Sequence, residues 1–180
     1  MDIRDLVKLT SKAWSLTILS LLHEGVPGRQ APLLAASGAS RTAFGHSLQH
    51  LIDIGMLERN PGHGHPLRPE FRLTARGTEA ARLAHRIQEI AHREHDGILR
   101  RAWTVPILTT LHEPSHFSDI KRSLPAITDR ALSLSLRSME ACDWVARSVT
   151  GETRPPRSLY RATNTGGEIS RVAASVVALG

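Results

Sequence analysis

The chain contains an internal repeat, which constrains its fold more than any other feature because it sets the number of structural units. The segment WSLTILSLLHE, which begins at Trp14, aligns without gaps with WTVPILTTLHE, which begins at Trp103. LQHLIDIGMLER at 48–59 matches LRSMEACDWVAR at 136–147, and FRLTARGTE at 71–79 matches YRATNTGGE at 160–168. Two amphipathic helices can look alike by chance, but the third match spans a strand-to-helix junction, which has no helical periodicity. The sequence therefore predicts two similar units.

Three helices and a β-hairpin are predicted in the first unit from its apolar periodicity and its turn residues. Ser40 has the short polar side chain that favours the N-cap of a helix, and Gly55 stands where glycine ends one. The predicted elements are helices at 14–23, 32–36 and 40–54, strands at 56–59 and 70–74, and a further helix from residue 74 onward.

The second unit repeats this order of elements. Thr104, Ser118 and Thr128 are the predicted N-caps of its three helices, and strands at 145–148 and 159–162 flank its loop. Three helices followed by two strands and a helix form a winged helix. The predicted fold is therefore mainly α with small β wings (α+β), in which two tandem winged helix-turn-helix domains form a pseudo-dimer.

The expected domain boundaries are 1–77 for the first winged-helix domain, 78–101 for a connecting helix and 102–180 for the second domain. A helix of about 24 residues would be ~36 Å long, and Gly97 is the position at which it would bend or stop. Because the segment is not rich in Pro, Ser or Gly, we expect it to pack in a shared core rather than to act as a flexible tether.

The segment HFSDIKRSLPAITDRALSLSLRSMEACDWVAR, with WTVPIL before it, resembles the HxlR family of bacterial winged-helix regulators, which are similar to the broader MarR group. The likeness is good across 103–166 and fainter across 14–77. It implies a transcription regulator that binds double-stranded DNA and usually acts as a homodimer. Many members carry a sensing cysteine near the N-terminus, which this chain lacks, and most have one such domain. One chain here is expected to imitate a dimer, and further homodimerisation stays open.

The composition agrees with a polyanionic partner. Lys and Arg number 23 against 17 Asp and Glu, which gives a net charge of +6; nucleic-acid-binding proteins share this balance with ribosomal and membrane-surface proteins. Cys142 is the single cysteine, so the chain can form no internal disulfide and a reducing compartment is favoured. The sequence shows neither a signal peptide nor a membrane span, and a cytoplasmic, nucleoid-associated location is expected.

Neither catalysis nor a bound cofactor is predicted. The sequence has no Gly-rich phosphate loop, GxSxG turn or Cys–His pair. Its histidine pairs, such as His46 with His50, lack the cysteine or carboxylate partners that are usual in zinc sites. No enzyme activity and no metal are therefore expected, and nothing in the sequence indicates a small-molecule effector.

In a helix-turn-helix, the second helix lies in the major groove and its N-terminal residues contact base edges. An arginine can make paired hydrogen bonds to guanine there, and a glutamine can make them to adenine. Because the two helices differ, the expected operator is an imperfect inverted repeat. The predicted contact residues are Ser40, Arg41, Thr42, His46 and Gln49 in the first unit and Thr128, Arg130, Ser133 and Arg137 in the second.

The wings carry a second set of candidate contacts, since loops rich in Pro, Gly and Arg suit the minor groove or the phosphate backbone. A solvated hairpin tip is the plain alternative. The candidates are Arg59, His63, His65, Arg68 and Arg72 in the first wing and Arg147, Arg154, Arg157 and Arg161 in the second.

Two other functions share this architecture. Tandem winged helices also occur in chromosome-segregation subunits similar to ScpB, which bind protein segments, and in replication initiators of the plasmid type. The basic charge and the arginine-rich wings argue against the first function, and the chain is short for the second. A sequence-specific regulator on DNA is the leading hypothesis.

Overall fold

The computed structural model describes residues 1–60, 69–92, 96–150 and 157–179. Within these residues the protein is mainly helical with two small antiparallel sheets, which is consistent with the predicted winged-helix fold. The helices are α1 (Ile3–Thr10), α2 (Ser15–His23), α3 (Gln30–Ser37), α4 (Arg41–Asp53), α5 (Ala75–Ala91), α6 (Asp96–Leu99), α7 (Thr104–Thr110), α8 (Phe117–Ser123), α9 (Asp129–Glu140) and α10 (Asn164–Ala174). The strands are β1 (Leu57–Asn60), β2 (Glu70–Leu73), β3 (Ser115–His116), β4 (Val145–Thr150) and β5 (Arg157–Ala162).

The elements from α2 to α5 follow the same order as those from α7 to α10, apart from the short strand β3. In the first half, β1 pairs with β2 in antiparallel register along four residues. In the second half, β4 pairs with β5 along six residues, so both strands reach two residues further toward the loop than the sequence predicted.

The N-caps of α4 and α9 form as predicted. Ser40 Oγ accepts a hydrogen bond from the backbone N–H of Ala43 at 3.3 Å, and Thr128 Oγ1 accepts one from that of Ala131 at 3.1 Å. Both capping residues have extended backbone, which lets a short polar side chain turn back toward the first helical turn. After α4, Gly55 has a φ of +71°, the left-handed conformation that ends a helix at glycine.

The strand pair is joined to the following helix in the same way in both halves. The backbone N–H of Thr74 donates to the carbonyl of Met56 at 3.1 Å, and that of Thr163 donates to the carbonyl of Trp144 at 2.8 Å. Each threonine hydroxyl also donates to the carbonyl one residue earlier, at 2.8 and 2.9 Å respectively. These bonds anchor the start of α5 and α10 to the start of the preceding hairpin.

Glycine is required at one position of each junction. Gly77 in α5 and Gly166 in α10 are both buried in the first helical turn. A Cβ atom there would lie 2.9 Å from the carbonyl carbon of Met56 or Trp144, and closer still to the oxygen. Only a residue without a side chain lets the helix approach the hairpin this closely.

The strand β3, which pairs antiparallel with β5, was not predicted. In the first half, Arg29 forms a single antiparallel bridge with Glu70. Arg29 and His116 are the N-caps of α3 and α8, so the pairing residue has the same place in each half. A strand of two residues shows no alternation of apolar and polar residues that the sequence could reveal.

Two of the predicted caps are wrong. The N-cap of α7 is Trp103, and the hydroxyl of Thr104 instead donates to the carbonyl of Ile98 at 2.7 Å because Thr104 is buried. The N-cap of α8 is His116, because the extended chain of β3 ends there. Ser118 therefore lies inside the helix, where its hydroxyl is free to interact with another element.

The prediction of a single connecting helix across 78–101 is wrong. α5 begins before it and ends at Ala91, where His92 has a φ of +50°. This left-handed conformation cannot continue a right-handed helix. Gly97, the expected break, lies inside the short helix α6.

The two halves share one hydrophobic core. α5 packs against α2 and also against α10, which in turn packs against α7. α1 lies against α7, where Thr10 Oγ1 donates to the carbonyl of Ala102 at 2.7 Å. Asp2 forms a parallel bridge with Ala178, so the ends of the described chain meet. None of the described helices combines the length and the apolar character that crossing a bilayer requires.

Candidate nucleic-acid interface

One side of α4 carries the predicted contact residues of the first half. All five are exposed, namely Ser40, Arg41, Thr42, His46 and Gln49. Arg41 has no hydrogen bond or ion pair with any described residue. The hydroxyl of Ser40 is already engaged in capping the helix, so Arg41 is the better placed of the two for an external ligand.

Gln49 has a partner on its own helix. Its Nε2 donates to Asp53 Oδ1 at 2.8 Å, across one helical turn. A primary amide has two N–H donors and one carbonyl acceptor. One donor and the acceptor therefore remain, which is the pair needed for adenine.

On α9, the predicted contact residues of the second half divide into two groups. Arg130 and Arg137 are exposed and have no polar partner in the described part of the chain. Thr128 is exposed, but its hydroxyl caps the helix, and Ser133 is half-buried. The two arginines are therefore the side chains of this set that are free to bind an anion or a base edge.

Leu134 lies between these arginines on α9. Its side chain is 53% exposed, whereas the apolar residues that α9 turns inward, Leu132, Leu136 and Met139, are at most 2% exposed. Burying a leucine normally stabilises a protein by about 1.5–3 kcal/mol. An exposed leucine between two unpaired arginines has no role in the core that the described residues form.

The arginines of each wing lie on both faces of the hairpin rather than on one. Directly opposed residues in an antiparallel pair share a face. Arg147 is opposite the buried Tyr160, whereas Arg161 is opposite Ala146. The same holds in the first wing, where Arg59 is opposite the buried Phe71 and Arg72 is opposite Glu58. The arginines on the two faces of one hairpin would contact opposite walls of a DNA groove if the wing entered it.

Several wing arginines already have partners within the protein. Arg72 forms an exposed ion pair with Glu70 at 2.7 Å. Arg147 Nε donates to Ser158 Oγ at 2.9 Å, and an Arg157 nitrogen donates to Ser118 Oγ at 3.3 Å. Arg59 and Arg161 are exposed and have no polar partner among the described residues. His63, His65, Arg68 and Arg154 lie outside those residues.

Two basic residues outside the predicted contact set bond to α9 and to the residue before its N-cap. Arg101 donates to Ser138 Oγ, and Lys121 on α8 donates to the carbonyl of Ile127, just before the N-cap of α9. The Lys121 amine also lies 3.7 Å from Asp129 Oδ1. Arg101 and Ser138 are distant in sequence, so no local pattern indicated their contact.

Cys142 is half-buried near the end of α9. Its Sγ lies 3.5 Å from the carbonyl oxygens of both Ser138 and Met139. Burial raises the pKa of the Cys142 thiol above its ordinary value. Because the thiolate is the reactive form of cysteine, this environment lowers the reactivity of the Cys142 thiol.

Comparison with known proteins finds similarity to one family over the second half of the chain. Residues 98–180 match the family described as HxlR-like helix-turn-helix. The reduced form of the transcriptional regulator YodB from B. subtilis is 26% identical over 44% of this chain and 78% of its own, with a TM-score of 0.40. The diamide-treated form of YodB is 20% identical over 58% of this chain and 89% of its own, with a TM-score of 0.34. No curated protein matches the sequence.

Proposed function

We propose that the protein is a sequence-specific DNA-binding transcription regulator whose two tandem winged helices act together as a covalent pseudo-dimer. The match of residues 98–180 to HxlR-like helix-turn-helix proteins carries the proposal. Within that segment, α8 and α9 are the helix-turn-helix pair, and α9 presents Arg130 and Arg137, which are exposed and have no polar partner among the described residues. Arginine is the side chain that most often reads guanine in the major groove.

The tandem arrangement is supported by the agreement between the two halves. Both have the same order of helices and strands, the same N-cap geometry before α4 and α9, and the same junction between hairpin and helix. We assign the first domain to 1–77, a connecting segment to 78–101 and the second domain to 102–180. The packing of α5 against α10 supplies the contact through which the two domains would act as a pair.

The proposed ligand is double-stranded DNA with two half-sites in an imperfect inverted repeat, about 10 base pairs apart. α4 and α9 would each enter a major groove, and the two wings would contact the minor groove or phosphates on either side. A protein of this kind would work in the cytoplasm, bound to the nucleoid, and neither a cofactor nor enzyme activity enters the proposal.

Selection of bound duplexes from a random DNA pool by the full chain tests this function. We expect enrichment of one sequence, and native mass spectrometry of its complex should show one chain per duplex. A complex with two chains per duplex would agree with DNA binding but would refute the proposal that one chain acts as a pseudo-dimer. Equal affinity for selected and scrambled duplexes would refute sequence-specific regulation.

Arginine variants test which surface binds. Arg130→Ala should weaken binding to the selected duplex by about 1–3 kcal/mol, the usual contribution of a paired contact to guanine. Arg171→Ala is the matched control, because Arg171 is also exposed but lies in the last turn of α10. An equal loss in both variants would indicate attraction by overall charge and would remove α9 from the interface.

A further inference from the structure

The exposed stripes of α4 and α9 differ in chemistry at every corresponding position. Counting from the N-caps Ser40 and Thr128, the stripes begin at the second helical residue and continue at spacings of four and three residues. Such spacings place side chains on one face of a helix. The corresponding pairs are Thr42 and Arg130, His46 and Leu134, and Gln49 and Arg137, all of them exposed.

The stripe of α9 is a cation, an apolar side chain and a second cation. Seven residues of α-helix rise about 10.5 Å, and three base-pair steps rise about 10.2 Å, so the stripe matches about three steps of a groove. Arg130 and Arg137 suit the paired acceptors of guanine, and Leu134 suits the 5-methyl group of thymine, the one apolar group on a major-groove base edge.

The stripe of α4 is neutral and polar. Gln49 retains a donor and an acceptor for adenine after its bond to Asp53, which also restricts the orientation of its amide. Thr42 and His46 offer hydroxyl and imidazole groups. None of the three can give the paired, charged contact to guanine that the arginines of α9 provide.

Resting on the proposed function, we infer that the two half-sites are read unequally and that Leu134 is a specificity-determining residue. α9 reads two G·C pairs that lie three base-pair steps apart, with the Leu134 side chain against the methyl group of a thymine between them. α4 reads a different half-site that contains an A·T pair at the position of Gln49, with Arg41, which precedes the stripe, as its candidate contact to guanine. Neither half-site is a copy of the other, so the operator has a direction.

The sequence selected by the wild-type chain is the first test. Enrichment of one half-site with a thymine between two guanines and of a different second half-site is the expected result. A perfectly palindromic selected site would overturn the inference and the imperfect repeat, while sequence-specific binding of DNA by a pseudo-dimer would stand. Failure to enrich any sequence would instead refute the proposed function, and the inference with it.

Removal of a single methyl group tests the role of Leu134 directly. In the selected duplex, deoxyuridine in place of that thymine should weaken wild-type binding about fourfold, which corresponds to one methyl group returned to water. Leu134→Ala should bind both duplexes equally, because the methyl then has no partner. Deoxyuridine at a thymine outside the two half-sites is the matched control. Equal sensitivity of wild type and Leu134→Ala to the substitution would overturn the assignment of this residue.

A variant with equal stripes tests the asymmetry. Arg41→Asp, Thr42→Arg, His46→Leu and Gln49→Arg together give α4 the stripe of α9 and the aspartate that precedes it. All four positions are exposed, so the fold should persist, which circular dichroism can verify. This variant should select a palindrome built from two copies of the α9 half-site. Selection of the unchanged wild-type site by the folded variant would mean that α4 does not read bases.

Discussion

Replacement of Gly166 by alanine should strongly destabilise the protein, because the first turn of α10 rests against the backbone at the start of β4. The added Cβ would lie 2.9 Å from the carbonyl carbon of Trp144 and would overlap its oxygen. That oxygen is also the acceptor for the Thr163 N–H at 2.8 Å. α10 must therefore move away, and the hydrogen bond must lengthen or break.

The size of this effect follows from two terms. Overpacking of a close contact costs about 1–3 kcal/mol, and a buried polar group that loses its partner costs about 1–3 kcal/mol more. The free energy of unfolding should thus fall by about 2–6 kcal/mol, a large share of the 5–15 kcal/mol typical of a folded protein. At about 2–4 °C per kcal/mol for a chain of this size, Tm should fall by roughly 4–24 °C.

Thermal unfolding followed by circular dichroism measures this shift. Gly77→Ala should behave alike, because its Cβ would lie 2.9 Å from the carbonyl carbon of Met56. Gly45→Ala is the control, since nothing lies within 4 Å of its added Cβ and alanine favours a helix interior by about 1 kcal/mol. An unchanged Tm for Gly166→Ala beside a raised Tm for Gly45→Ala would refute the close seating of α10 on the hairpin.

Three further predictions concern the caps and the titratable groups. Thr128→Ala should lower the free energy of unfolding by about 1 kcal/mol in urea titrations, because it removes the N-cap of α9. Thr128→Ser keeps a hydroxyl that can cap the helix, so its free energy of unfolding should stay close to that of wild type. Cys142 should react with a disulfide reagent more slowly than free cysteine at pH 8, because its pKa is raised, and the rate should climb as the pH is increased further; a faster reaction would contradict the burial of the thiol. The hydrogen bond from the Asp5 backbone N–H lowers the pKa of the Asp2 carboxyl below 3.8, so the ionised carboxylate stabilises the fold above pH 3.8 and this stabilisation is lost as the pH falls through the folded-state pKa. In urea titrations, the difference in the free energy of unfolding between wild type and Asp2→Asn should therefore shrink as the pH falls toward 2. A difference that does not change with pH would count against this bond.

Local capping could be predicted from the residues themselves where the partner is near in sequence. Ser40 and Thr128 each bond a backbone N–H three residues ahead, so the short polar side chain and the helical pattern after it were sufficient. The same rule failed at Thr104, because the carbonyl of Ile98 competes for its hydroxyl in a buried setting that the local sequence does not describe.

Some features of the candidate interface can likewise be predicted from the local sequence, whereas others depend on the tertiary structure. The identity of the exposed residues on α4 and α9 follows from helical periodicity once the caps are located. Which wing arginines share a face depends on strand register, and which are already bonded depends on neighbours such as Glu70 and Ser158. Hydrophobic pattern alone predicted the two hairpins but neither their register nor these partners.

By itself the amino-acid order determined the similarity of the two halves, the succession of helices and strands, and the basic side chains on α4 and α9, since each is a matter of spacing along one segment. Only the tertiary structure decided where α5 stops at His92, how β3 joins β5, and that α5 packs against α10. Those features depend on backbone groups and apolar surfaces that are far apart in the chain and meet only when it folds.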